Sequence, residues 1–169
     1  MKRAYLSVIV AVVIIAVAVG GFEYYQNTQN TGHMSISVAD APIASGVAAV
    51  YIEFKAVSLH SNTSGWQNYS ANETLNIWGL TISNASLLAN ISLHPGTYTM
   101  IRLYITSVIV NILGVNFTFT LNAPFAFINH PFTISAHSTT AVTVEFDLNA
   151  DLNLQSKVFT PNVGFTVTS

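Results

Sequence analysis

A turn pair, Pro95-Gly96, opens onto an almost unbroken run of β-branched, aliphatic and aromatic residues from Thr97 to Ile112, closed by Leu113-Gly114. Thr, Val and Ile lose rotamer freedom against a helical turn and fit a pleated, half-buried surface, so the run predicts a long strand. At period two, Ile101, Leu103 and Ile105 share one face as a core stripe. Arg102 falls on the other with Tyr98, Met100, Tyr104 and Thr106.

The rest of the chain repeats the signal. "MSISVAD" alternates up to Asp40-Ala41-Pro42, and "VAAVYIEFKAVSLH" (Val47–His60) puts Val50, Ile52 and Phe54 opposite Tyr51, Glu53 and Lys55. Trp66 opens a short strand, "ETLNIWGL" reads as another, and "TISNASLLAN" as one or two helical turns. "VNFTFTL" makes a hairpin with the long run through Gly114. In "TTAVTVEFDLNA", Val142, Val144, Phe146 and Leu148 point inward, and "KVFTPNVGFTVTS" closes the chain. Short strands between regular turns predict an all-β fold, an antiparallel β-sandwich of Ig-like or transthyretin-like type over residues 34–169.

Ahead of it, Met1-Lys2-Arg3 precedes nineteen uncharged residues, Ala4–Phe22. A helix of that length just spans a bilayer core of about 30 Å. This N-terminal hydrophobic helix reads as a retained transmembrane anchor, with Lys2 and Arg3 inside, or as a signal peptide with an A-x-A site at Ala16-Val17-Ala18. The short leader of archaeal type IV pilins is a third form, but "EYYQNTQNTG" breaks the long helix that pilins continue. The expected organisation is 1–22 signal peptide or anchor, 23–33 polar tether and 34–169 β-sandwich domain. Every version exports the domain to the extracellular side of the cytoplasmic membrane or to the cell surface.

Charge is scarce. Charged residues are 7% of the chain, against roughly 25% in typical soluble domains. Past Phe22 only Lys55, Arg102 and Lys157 are basic, so a nucleic-acid partner has no phosphate-neutralising stripe. The absence of cysteine excludes disulfides, zinc–thiolate and iron–sulfur centres, thiol nucleophiles and blue copper. Hydroxyls and amides must make the polar surface. Such a surface still works at pH ~2–3, where carboxylates with pKa values near 4 are protonated. The composition therefore favours an acidophilic archaeal envelope.

Six N-x-[ST] sequons are the densest motif: Asn62, Asn68, Asn72, Asn84, Asn90 and Asn116. An Asn/Ser/Thr-rich surface generates some matches by chance, but in an exported chain they predict N-linked glycans, which would also keep a charge-poor surface soluble. Arg102 is expected in a structural ion pair with Glu53 or Glu145, its stem covered by tyrosines; a ligand-binding arginine is the sharper alternative. Glu145, Asp147 and Asp151 could serve calcium or acid–base chemistry, but their spacing reads first as an outer strand face entering a turn. The histidines, His33, His60, His94, His130 and His137, lack metal-ligand spacing, and no G-x-S-x-G, P-loop or dinucleotide fingerprint is present. No catalytic, cofactor or metal residue is expected, and no enzyme.

Taken together, Asp40-Ala41-Pro42, "VYIEFKAVSLH", Gly65-Trp66, the strand from Leu75 to Leu80, Pro95-Gly96-Thr97-Tyr98 with Ile101-Arg102, "EFDLNADL" and the final strand region with Pro161 resemble a family of exported prokaryotic, largely archaeal, cell-surface domains of unknown function. The resemblance covers roughly Met34 to Val167 and implies a β-sandwich at the cell surface, without an assigned activity. The expected function is a membrane-tethered, N-glycosylated surface domain with a structural or binding role, whose partners are the membrane, another envelope protein or itself. The alternatives are a filament subunit assembled head to tail by donor-strand exchange, and an accessory subunit of a membrane complex. The polar tether counts against donation, since a donor strand needs alternating apolar residues; "HMSISVA" could serve if it leaves its own sheet.

Overall fold

The computed structural model describes residues 30–40 and 46–168, together with 16–18 and 21. The expected anchor and tether, and the Ala41-Pro42 part of the first turn, lie largely outside the described residues. Among these, no helix is long and apolar enough to cross a membrane.

The fold is all-β. One sheet runs β12 (Val163–Thr168), β9 (Thr139–Phe146), β1 (Gly32–Asp40), β4 (Ser86–Leu93). The other runs β3 (Gly65–Asn76), β2 (Val47–Ser61), β5 (Gly96–Ile112), with β6 (Val115–Thr118) and β8 (Phe125–Ile134) sharing the far side of β5. Three two-residue strands, β7 (Thr120–Leu121), β10 (Leu152–Asn153) and β11 (Val158–Phe159), form a small third sheet beside a one-turn helix, Leu148–Asp151.

Alternation drives this arrangement. Met34, Ile36 and Val38 from β1, Val50, Ile52 and Phe54 from β2, and Val142, Val144 and Phe146 from β9 are all buried in one hydrophobic core. Rings from the two large sheets meet there, with Phe54 and Phe146 centroids 6.1 Å apart. Burying each such side chain contributes about 1.5–3 kcal/mol.

The structure corrects the reading of the strands in four places. The sheets are not wholly antiparallel: β1 runs parallel to β9, with Met34 opposite Thr140 and Val38 opposite Val144. The two strands are far apart in sequence, so no hairpin fixes their direction, and apolar alternation is satisfied either way. Trp66 and "ETLN" belong to one strand, β3, bent where Ala71 and Asn72 are left over and Asn72 has φ 50°. "TISNASLLAN" contains a single 3-10 turn, Ile82–Asn84, and then becomes β4. A bulge there leaves Leu88 unmatched against β1, so the buried residues Leu88 and Ile91 are three apart and imitate helical spacing.

The fourth correction is in β5, whose period is reset twice. Thr99 and Thr106 are extra residues against β2. The inward set is therefore Tyr98, then Ile101, Leu103 and Ile105, then Val108 and Val110. Tyr98 leaves the Arg102 face and stacks on Phe132 in the core, the ring centroids 5.7 Å apart.

The β5–β6 hairpin closes as expected through Gly114. Ile112 pairs with Val115, leaving a two-residue loop in which Leu113 has φ 51° and Gly114 φ 87°. Positive φ at both positions is the type I′ geometry that matches strand twist.

Candidate functional site

The outer face of the five-stranded sheet is ordered in rows by strand register. Asn68, Ser58, Arg102 and Phe127 lie side by side across β3, β2, β5 and β8. The next row holds Trp66, His60, Met100 and Asn129; on the other side lie Ser70, Ala56, Tyr104 and Phe125.

Arg102 sits in the middle of this face as a cation among rings. Its guanidinium carbon is 4.0 Å from the centre of Trp66, 5.0 Å from Phe125 and 5.6 Å from Phe127. His60 tilts against Trp66 at 5.2 Å, and Tyr104 meets Phe125 edge-on at 5.6 Å, so the cage continues along the face. Arg102 Nε is buried with no hydrogen-bond partner among the described residues.

Neither expected carboxylate partner is among its described contacts. Glu53 stands opposite Ser107, five residues along β5, and Glu145 belongs to the other sheet between Ala39 and Gly164. The rings around its guanidinium are Trp66, Phe125 and Phe127, where the sequence reading had tyrosines on the stem. Outward alternation of Phe125 and Phe127 around buried Ala126 was the available signal, but only strand order could bring it to Arg102.

A second polar cluster lies where β1 and β9 end. Asp40 and Asp151 are buried, at 2% and 1% exposure, while Asp147 caps the one-turn helix by accepting from the Ala150 N–H. Asp40 Oδ2 accepts from the Gly79 N–H at 3.3 Å. Asp151 Oδ1 accepts from the backbone and side-chain nitrogens of Asn162 at 2.8 and 3.1 Å. Burial is the main cause that raises Asp40 to about 6 and Asp151 to about 7, and Asp147 pushes both the same way.

Asp40 Oδ1 and Asp151 Oδ2 are buried and have no hydrogen-bond partner among the described residues. The acidic trio is thus not a plain outer face: Asp151 turns inward, and Asp40, read from sequence only as part of a turn, lies near enough to act on it. Among the described residues, no three His, Asp or Glu side chains are grouped so as to hold a metal ion.

All six sequon asparagines, Asn62, Asn68, Asn72, Asn84, Asn90 and Asn116, are exposed. Ser58 Oγ donates to Asn68 Oδ1, and Asn111 Nδ2 donates to Asn116 Oδ1 at 2.6 Å. Both contacts use the oxygen and leave Nδ2, the atom that carries N-linked sugar, without a partner among the described residues.

The site features are thus a ring-caged arginine on the outer sheet face and two buried aspartates at one end of an all-β domain. The chain belongs to the family described as Domain of unknown function (DUF4382), whose profile matches residues 31–165. No curated protein and no solved structure matches it.

Proposed function

We propose that this chain is an extracytoplasmic, N-glycosylated surface domain, a β-sandwich of Ig-like or transthyretin-like type, tethered to an archaeal membrane by its N-terminal segment. Its role is structural or binding, and it is not an enzyme. The observation that carries the reading is the exposure of every sequon asparagine in a chain whose charged residues are only 7%. Sugar supplies the hydration that charge supplies elsewhere. The two main sheets, joined through one core, support the sandwich assignment. Mass spectrometry of native material tests the reading, reporting the N-terminal residue and glycopeptides together. A retained Met1 or Lys2 with sugar on at least three sequons is the expected result; unmodified asparagines throughout would overturn it.

One observation favours the filament alternative. The first strand, β1, is not an edge strand but fills the gap between β9 and β4, the position a strand donated by a neighbour would take. Because the chain has no cysteine, an Ile36→Cys, Val142→Cys pair at facing positions of β1 and β9 reports the donor. A disulfide within one chain supports the surface domain; an oxidised ladder of chains supports the filament. The accessory-subunit reading has no observation of its own.

A further inference from the structure

We propose that N-linked sugar on Asn68, Asn72, Asn90 and Asn116 seals the open edges of the two main sheets, in place of the charged side chains that guard most β-sheet edges. The proposal rests on the glycosylation reading above. An edge strand presents unpaired N–H and C=O groups that template pairing with another chain, and proteins block it with Lys, Pro, bulges or a covering element. Here β4 and β6 carry no charge, and β3 carries only Glu73.

The sequons follow the edges. Asn68 and Asn72 lie on β3, Asn90 on β4 and Asn116 on β6, each an outer strand of its sheet. Asn62 and Asn84 sit in the turns leading into β3 and β4. The strands paired on both sides, β1, β2, β5 and β9, hold none. The two remaining outer strands, β8 and β12, also hold none, and these two cover each other: the His130 ring on β8 lies 5.0 Å from the Phe165 ring on β12. Among the strands of the two main sheets, sequons therefore fall only on outer ones.

The β3 and β4 edges also lie beside one another. They border a cleft of about 560 Å³ lined by Asn68, Tyr69 and Ser70 from one and by Leu88, Asn90 and Ser92 from the other. Sugar on Asn68 and Asn90 would stand on both rims, leaving an incoming strand no flat ladder to join.

The test uses the full chain, made in an N-glycosylating host and held in mild detergent, with glycopeptide mapping and native mass spectrometry. Wild type should carry sugar on these strands and run as a single chain. Asn68→Gln, Asn72→Gln and Asn90→Gln together should self-associate. Lys at the same three positions should restore the single chain, because charge then guards the edges. A sugar-free wild type overturns the glycosylation reading and this proposal with it. Mapped sugar with a monomeric Gln variant, or association that Lys does not cure, overturns the edge-sealing proposal alone.

Discussion

The guanidinium of Arg102 on β5 lies 4.0 Å from the centre of the Trp66 ring on β3, reaching it across Ser58 of the intervening strand. Ser58, opposite Arg102 on that strand, is small and buried. A charge-poor chain can place an arginine here because its planar cation lies against rings.

That geometry predicts coupling between the two residues. Arg102→Met and Trp66→Ala should each destabilise, and a double-mutant cycle should return about 0.5–2 kcal/mol of interaction. Arg102→Lys should not restore it fully, since an ammonium lacks the planar face. Glu53→Gln and Glu145→Gln should combine additively with Arg102→Met in thermal melts. Coupling to either acid would mean that the arginine finds a carboxylate in solution.

Much of the strand content was legible because apolar alternation is a local signal. Val50, Ile52 and Phe54, and likewise Val142, Val144 and Phe146, read inward in the sequence and are buried. The hidden part was set by pairing. Nothing in the residue types of Thr99, Thr106 or Leu88 marks a bulge, yet each shifts the face on which its neighbours fall, and Tyr98 changes sides as a result. The parallel β1–β9 contact joins distant segments, and the rings around Arg102 come from β3 and β8. Glu145 and Asp151 looked alike in sequence; only the turn after β9 drives Asp151 into the interior.

Leu113 is the wrong residue for its backbone. It is 84% exposed and holds φ 51° at the first position of a type I′ turn, where Asn is preferred before Gly. A side chain beyond Cβ gains little there, and the left-handed conformation costs roughly 1–2 kcal/mol for an ordinary residue. Leu113→Asn should raise stability by up to about 1 kcal/mol, read from the midpoint of chemical denaturation. An unchanged or lower midpoint would show that the leucine finds an apolar partner.

Gly32 opens β1 with no room for a side chain. A Cβ there would meet the Ser135 carbonyl oxygen and, at 2.6 Å, a methyl of Ile134. The carbonyl is backbone and cannot rotate away. Gly32→Val should therefore cost about 1–3 kcal/mol by overpacking. Gly164→Ala, on β12, is the control: its Cβ meets nothing closer than 3.9 Å, so it should change stability little. Equal losses in the two variants would contradict the tight approach at Gly32.

Asp40 and Asp151 set the direction of the pH response. Burial, aided by nearby Asp147, lifts them from 3.8 to about 6 and about 7, against the pull of N–H groups from Gly79 and Asn162. Each carboxyl thus holds its proton more tightly in the folded chain than in the unfolded one. Their contribution is fully present below 3.8, where both states are protonated. As pH rises past that value the unfolded chain ionises first and stability falls, until the folded carboxyls ionise near 6 and 7. At about 1.4 kcal/mol for each pH unit over which only the folded state keeps the proton, the two spans make the pair's loss on the order of 7 kcal/mol by pH ~8. Asp40→Asn with Asp151→Asn imitates the protonated state. It should leave stability near pH ~3 unchanged, flatten the decline and exceed wild type at pH ~8. Thermal melts stepped across that range measure it. A wild-type melting temperature that climbs steadily from pH ~4 to ~8, with no gain from the asparagines, would show that both acids are ionised in the native chain.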